Sequence, residues 1–333
     1  MFPFIPMKGW PEAHSWRYSL IQTMTDDPDE SFVITAMTEG TLLPSWVEMG
    51  PGDDTAILKN GQVVTTDLLI EDVHFTRDQS PENIATKLIA VNASDVAAAG
   101  ARPTWALLSI ALPHPIDTHW VQRFSHALRS ELNTQEIALI GGDTTRSPGP
   151  IFLNLCLAGK LVTKTPLLRS TASPNEDIWV SGFLGDASGG FHLDDPTLRA
   201  RFERPQPPLE LGPRLAEERL ATAAMDISDG LLTDLGRLCD ASGCGARIER
   251  EQLPASPELI ALTDDLLPHQ VAFGEDYQLL FCAKKSDREA ILRIGDELSV
   301  QLTRIGHTTP STGIQLPGVE ELTAWTHFGN PTT

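Results

Sequence analysis

Six short segments each set a carboxylate beside Gly, Ser or Thr: PGDDTAIL at 51–58, TTDLLIEDVHF at 65–75, NASDVAAAGA at 92–101, IGGDTT at 140–145, MDISDGL at 225–231 and FGEDYQLLF at 273–281. Acids in polar, tightly turning segments between hydrophobic strands and helices suit hard divalent cations, which take oxygen ligands, and the phosphates that accompany them. The chemistry this pattern predicts is metal-assisted handling of a nucleotide's phosphates.

The segments differ in how far each argues alone. Asp53 and Asp54 suit a plain β-turn as well as a ligand pair. Thr65, Thr66 and Asp67 interrupt a β-branched, hydrophobic strand, and hydroxyl, carbonyl and carboxylate oxygens are magnesium ligand types. Asp95 precedes the small apolar run AAAG, so its helix packs closely there and the acid is expected to be paired or metal-bound. Asn92, three residues earlier, shares its face. IGGDTT reads as a glycine turn at a strand end, either structural or open to a phosphate, with Asp143 available to a metal. Asp226, Ser228 and Asp229 are expected at the N-terminus of a helix beginning near Gly230. One of them would suffice as a cap; three leave acids for metal and amides for a phosphate. Of Glu275 and Asp276, one is expected to serve the turn and the other to be a ligand. Convergence of so many acids without cations would push their pKa values up by several units.

The elements that must carry these residues alternate regularly. A helix over 31–43, strands at TAIL and 62–70, a helix from Pro81 to Gly100, a strand over 105–113, a helix over 117–132 and strands over 136–140 and 151–161 make an α+β half. Beyond it come a strand from 177 running into a Gly-rich turn by 190, a connector over 204–213, helices over 214–222 and 230–242 capped by Gly243, and the strand YQLLF. The expected division is an extension over 1–30, a first domain over 31–160 and a second over 161–333.

With 25 Lys and Arg against 45 Asp and Glu, a formal charge of −20, the 333-residue chain repels nucleic acid backbones. An anionic nucleotide approaches such a surface only with neutralising metal ions. Cys156, Cys239, Cys244 and Cys282 have neither zinc nor CxxC spacing and read as reduced thiols of a cytoplasmic protein. No apolar run suits a membrane helix, and Pro3, Pro6 and Pro11 break any signal-peptide core; residues 1–30 read as a poorly packed extension.

Taken in order, GDD, TTD with its following HF, the NxSD helix, GGDTT, the Arg169 region, DISDGL, GEDY and WTHF at 325–328 resemble the thiamine-monophosphate kinase family, over about residues 31–328. That family shares a superfamily with aminoimidazole ribonucleotide synthetase and selenophosphate synthetase. The resemblance implies an N-terminal α+β domain whose sheet pairs across a homodimer, a C-terminal α/β domain covering the nucleotide site, and transfer of a phosphoryl group from ATP to thiamine monophosphate. It implies several Mg²⁺ held by Asp54, Thr65, Thr66, Asp67, Asp95, Asp143, Asp226 and Asp229, with Asp67, Asp143 and Asp226 acting catalytically through metal. Gly142, Asp143, Arg169 and Ser228 would contact ATP. His74, Glu275 and Trp325 would receive the acceptor, whose thiazolium cation suits an aromatic face and a carboxylate. The chain departs from the family pattern at Phe273, where Gly is usual, at Gln278, where Glu is frequent, and at TASPNED, which replaces GAKPGD. The alternatives are an aminoimidazole ribonucleotide synthetase-like enzyme, a non-catalytic MgATP-binding protein and a two-metal phosphatase.

Overall fold

QVVTTDLLI is a run of β-branched and apolar residues, and it forms one long central strand of a six-stranded sheet. In the computed structural model, which describes residues 30–317, helix α1 (Glu30–Thr38) leads into β1 (Val47–Met49), β2 (Ala56–Leu58) and β3 (Gln62–Ile70). Helix α2 (Pro81–Ala98) follows, then β4 (Ala101–Leu112), α3 (Thr118–Thr134), β5 (Ala138–Arg146) and β6 (Phe152–Leu161). The strand order is β1-β2-β3-β6-β4-β5, antiparallel except for the parallel pair β4 and β5. Pro81 stands in the first turn of α2, and the Ser80 side chain accepts the Asn83 amide, so the helix starts where its sequence signals place it. Its apolar side, Ile84, Leu88 and Val91 among others, joins Leu153, Leu155 and Leu157 of β6 in one core.

The second half holds β7 (Asp177–Ser181), α4 (Asp186–His192), α5 (Pro196–Glu203), α6 (Leu211–Glu218), β8 (Ala221–Ile227), α7 (Leu231–Ser242) and β9 (Gly245–Ile248). It continues with α8 (Pro257–Leu262), α9 (Leu266–Ala272), β10 (Gln278–Ala283), α10 (Arg288–Leu298), β11 (Leu302–Thr309) and β12 (Gly313–Gln315). Its six strands run in the order β12-β9-β11-β7-β10-β8. The chain is thus two mixed α/β domains, each a mixed sheet with helices.

Helix α2 lies at the seam between them. Ala98 packs with Leu211, Leu215 and Phe281 of the second half, and Tyr277 of the second half is buried in the first half's core. A methyl group on Gly212 would overlap the Ala97 carbonyl oxygen, so α6 presses directly on the backbone of α2 two residues beyond Asp95. This contact holds the acid-bearing end of α2 against the second half.

Two local expectations are replaced. Gly141, Gly142 and Asp143 lie inside β5 rather than in a turn, because the backbone keeps pairing with β4 through a register shift near Leu107. Gly142 takes φ +153, and a side chain there would strike the Leu108 carbonyl, so the glycine permits close strand pairing. The segment at 186–190, expected as a turn, is the body of α4. The extension at 1–29 and the WTHF segment with Trp325 lie outside the described residues.

Candidate active site

Strand alternation sorts the TTD segment. Thr65, Asp67 and Leu69 turn toward α2, whereas Thr66 and Leu68 face the open side of the sheet. On the α2 side, the Thr65 hydroxyl donates to Asp95 Oδ2 at 2.6 Å. The Asp67 amide donates to Asn92 Oδ1 at 3.0 Å, and Asn92 Nδ2 donates to the Leu88 carbonyl at 2.9 Å. Asn92 is therefore a clamp that fixes β3 to the helix beside both acids. Asp54 enters from the turn between β1 and β2, and Asp226 from the end of β8 in the other half. One carboxylate oxygen from each of Asp54, Asp95 and Asp226 lies within 4.8 Å of the other two.

Burial alone pushes each of these acids up, and proximity adds to it. Asp54 and Asp95 stand well above the ordinary carboxylate value; Asp95 is raised further by Asp67, Asp226 and Asp54, while Arg169 pulls Asp54 partly back. Asp67 is pushed up to about 6, by burial first and then by Glu275 and Asp229. Asp226 is pushed up to about 7, with burial leading, a Ser94 hydrogen bond opposing and Asp234 and Asp67 adding. The Arg169 guanidinium grips Asp54, with Nε 2.9 Å from Oδ1, and the Arg169 amide donates to Asp53 Oδ2 at 3.1 Å. Asp54 Oδ2 and Asp226 Oδ2 are buried without a hydrogen-bond donor among the described residues. Orphaned carboxylate oxygens on two acids of one cluster, whose third acid takes a threonine hydroxyl, fit hard divalent cations such as Mg²⁺.

The DISDGL segment is arranged differently from expectation. Asp226 ends β8 and does not sit at a helix N-terminus, and α7 begins at Leu231 behind Gly230. The amides of Ser228 and Asp229 donate to Asp234 Oδ2 at 3.0 and 2.9 Å, so a side chain of the chain itself takes the place expected for a phosphate. Arg237 pairs with both Asp229 and Asp234.

In the GEDY loop the two acids have different partners. Asp276 accepts the Gly185 and Ala187 amides at 2.7 and 3.1 Å and is the structural one. Glu275 stands at φ +72 and Tyr277 at φ +49, a left-handed backbone unusual for such residues. Their amides donate to the Ser228 and Ile227 carbonyls, which fasten the loop to the end of β8. Glu275 forms an ion pair with the wholly buried Lys87. The Ile70 amide donates to His74 Nδ1 at 3.1 Å. Phe273 stacks on Phe191 with ring centroids 5.6 Å apart, and Gln278 accepts the Ser181 hydroxyl at 2.7 Å, so both departures have local packing roles.

Comparison with known proteins decides the family. Residues 52–161 match the AIR synthase related protein N-terminal domain and residues 181–318 its C-terminal domain. The thiamine-monophosphate kinase of Salmonella typhimurium is 36% identical over 308 residues, covering 86% of this chain and 93% of that protein. The one from Aquifex aeolicus is 32% identical over 295 residues, covering 83% and 92%. The solved structure of AaThiL complexed with AMPPCP and TMP superposes with a TM-score of 0.79 at 31% identity, covering 90% of this chain and 97% of that one. The chain belongs to the thiamine-monophosphate kinase family. It is an enzyme.

Not every residue that the family resemblance nominates lies in the carboxylate cluster. Asp143 pairs in register with Ser109 on β4, three strands from Asp67, a separation of about 14 Å across the sheet. Ser109 and Asp143 face the open side, as does Thr66, whose hydroxyl accepts Asn154 Nδ2 at 2.8 Å. Lys87, Asn92, Ser94 and Asp234 were not singled out as site residues from the sequence. Two of them carried a signal: Asn92 shares the face of Asp95, and Lys87 is a charge three residues after Ile84 on the apolar stripe of α2. No helix among the described residues is long and apolar enough to cross a membrane, and the four cysteines are free thiols.

Proposed function

We propose that this enzyme transfers the γ-phosphoryl group of ATP directly to the phosphate of thiamine monophosphate, releasing ADP and thiamine diphosphate. The observation that carries the reading is the cluster of Asp54, Asp95 and Asp226, two of them buried and one half-buried, drawn from both halves, in a chain of this family. An oxygen of the acceptor phosphate forms the new P–O bond in line as the bond to the β-phosphate oxygen breaks. The acceptor is already an anion, so no general base is assigned, and alignment with charge neutralisation is what remains to be supplied.

Several Mg²⁺ held by Asp54, Thr65, Asp67, Asp95, Asp226 and Asp229, with Thr66 and Asp143 on the open sheet face, would neutralise the phosphates and orient both substrates. Arg169 is assigned to the ATP phosphates, and Gly142 and Ser228 to contacts with ATP, Ser228 through its hydroxyl because its amide is taken by Asp234. The Arg169 guanidinium, already held at the acids' edge by Asp54, supports its phosphate role. Glu275 and His74 are assigned to the acceptor, with Trp325 from the C-terminal segment. Incubation with MgATP and thiamine monophosphate, followed by chromatography, is expected to yield thiamine diphosphate and ADP in equal amounts. Release of inorganic phosphate without thiamine diphosphate would overturn the reading.

The homodimer belongs to the same proposal. All nine residues of edge strand β5 are exposed, and Leu139 and Ile140 are 43% and 61% accessible. A long, bare, partly apolar edge is a pairing surface, and a second copy of this sheet would cover it. Light scattering behind size exclusion is expected to read twice the chain mass; a monomer at micromolar concentration would refute it. The free thiols support a cytoplasmic location.

A further inference from the structure

Lys87 is 0% exposed, among the largest fully buried side chains of the described residues, on a helix face it shares with Ile84, Leu88 and Val91. Its Nζ pairs with the Glu275 carboxylate, donates to the His74 carbonyl at 2.9 Å and lies 4.1 Å from the centroid of the Phe202 ring. Three separate segments therefore meet on one ammonium: the loop after β3, the GEDY loop and helix α5. Two of them carry Glu275 and His74, the residues assigned to the acceptor.

Stability does not account for this arrangement. Desolvating an ammonium and a carboxylate is costly even when they are paired, and well-packed apolar side chains of the same volume commonly do as well or better. What the pair supplies is direction. The Glu275 backbone stands at φ +72, and Lys87 holds its carboxylate from the side of α2. Phe202 in turn meets Phe191 edge-on at 5.5 Å, and Phe191 stacks on Phe273, so the aromatic row beyond the ammonium runs on to Phe273, one of the positions where this chain departs from the family pattern.

We propose that Lys87 is the positioning residue of the acceptor pocket, fixing Glu275 and the His74 loop against Phe202 so that the pocket is formed before the acceptor arrives. The inference rests on the acceptor roles given to Glu275 and His74 under the proposed function. Lys87 touches neither reacting phosphate and acts only through these neighbours.

The test is steady-state kinetics of the full-length protein with ATP and thiamine monophosphate varied separately. Lys87→Met is expected to raise KM for thiamine monophosphate about 100-fold, the scale of effect of a misplaced binding group. KM for ATP should stay within about twofold, and Lys87→Arg, which keeps a cation, should recover part of the loss. A merely structural lysine would move both KM values together, and that outcome, or an unchanged acceptor KM, overturns the inference. Should Lys87→Met fail to melt cooperatively, Phe202→Leu removes the ring without stranding a charge. It should raise the acceptor KM severalfold, and no change there likewise overturns the inference. A wild-type protein that forms no thiamine diphosphate removes the functional reading and this inference with it. An active wild type with an indifferent Lys87→Met removes this inference alone.

Discussion

Asp226→Asn is expected to cut turnover by roughly a hundred- to a thousandfold while raising the melting temperature of the EDTA-treated protein. The two effects have one cause. Asp226 is buried against Asp54 and Asp95, one of its oxygens has no donor among the described residues, and burial together with Asp234 and Asp67 raises it to about 7. Near neutral pH the folded protein therefore holds charge there that the unfolded chain would carry in water at no such cost. The neutral isostere removes that charge from the cluster and with it a cation ligand. For a domain of this size each kcal/mol of repulsion relieved is worth about 2–4 °C in melting temperature. Activity near wild type would dismiss the cluster as the catalytic centre. Lost activity with a lowered melting temperature would instead mark Asp226 as a structural acid.

The legible parts of the molecule were those in which local pattern and burial agree. The β-branched run at 62–70 became β3 with the same ends, and Pro81 to Ala98 became α2, because cap, apolar stripe and terminating Gly100 all point one way. The convergence of Asp54, Asp95 and Asp226 was legible only as an anomaly, acids where burial forbids lone charges. Their meeting depends on two domains docking, which no local period reports. The glycine pair at 141–142 misled because paired glycines more often mark turns, whereas an edge strand exposed on both faces offers no alternation to contradict that reading. Asp234 was hidden for another reason. It looks like an ordinary first-turn helix acid, and only the folded turn brings the Ser228 and Asp229 amides onto it. Lys87 lay in plain view on an apolar stripe, but its partners come from segments more than 100 residues further along the chain at Phe202 and Glu275.

Magnesium is expected to stabilise the protein far more at pH 8 than at pH 5.5, and the sign follows from the raised acids. Asp226 at about 7, Asp67 at about 6, and Asp54 and Asp95 well above their ordinary 3.8 all bind protons more tightly folded than unfolded. The stability they contribute is fully present below about pH 4 and is lost as pH rises through about 6 to 7, so EDTA-treated protein should weaken over that window. A cation binds the ionised carboxylates and not the protonated ones, so it restores most where the loss is greatest. At about 100 times its Kd it is worth about 2.7 kcal/mol. Two other groups titrate nearby with the opposite sense. His192 and His269 are depressed by burial, so their protonation weakens the fold as pH falls below about 6.5. The comparison is therefore made against Asp226→Asn, in which the histidines are unchanged and the strongly negative formal charge falls by only one. Scanning calorimetry should show a shallower fall with pH in the variant than in the wild type, and a smaller magnesium increment at pH 8. Equal magnesium increments at both pH values in the wild type would mean that the ion binds somewhere other than these acids.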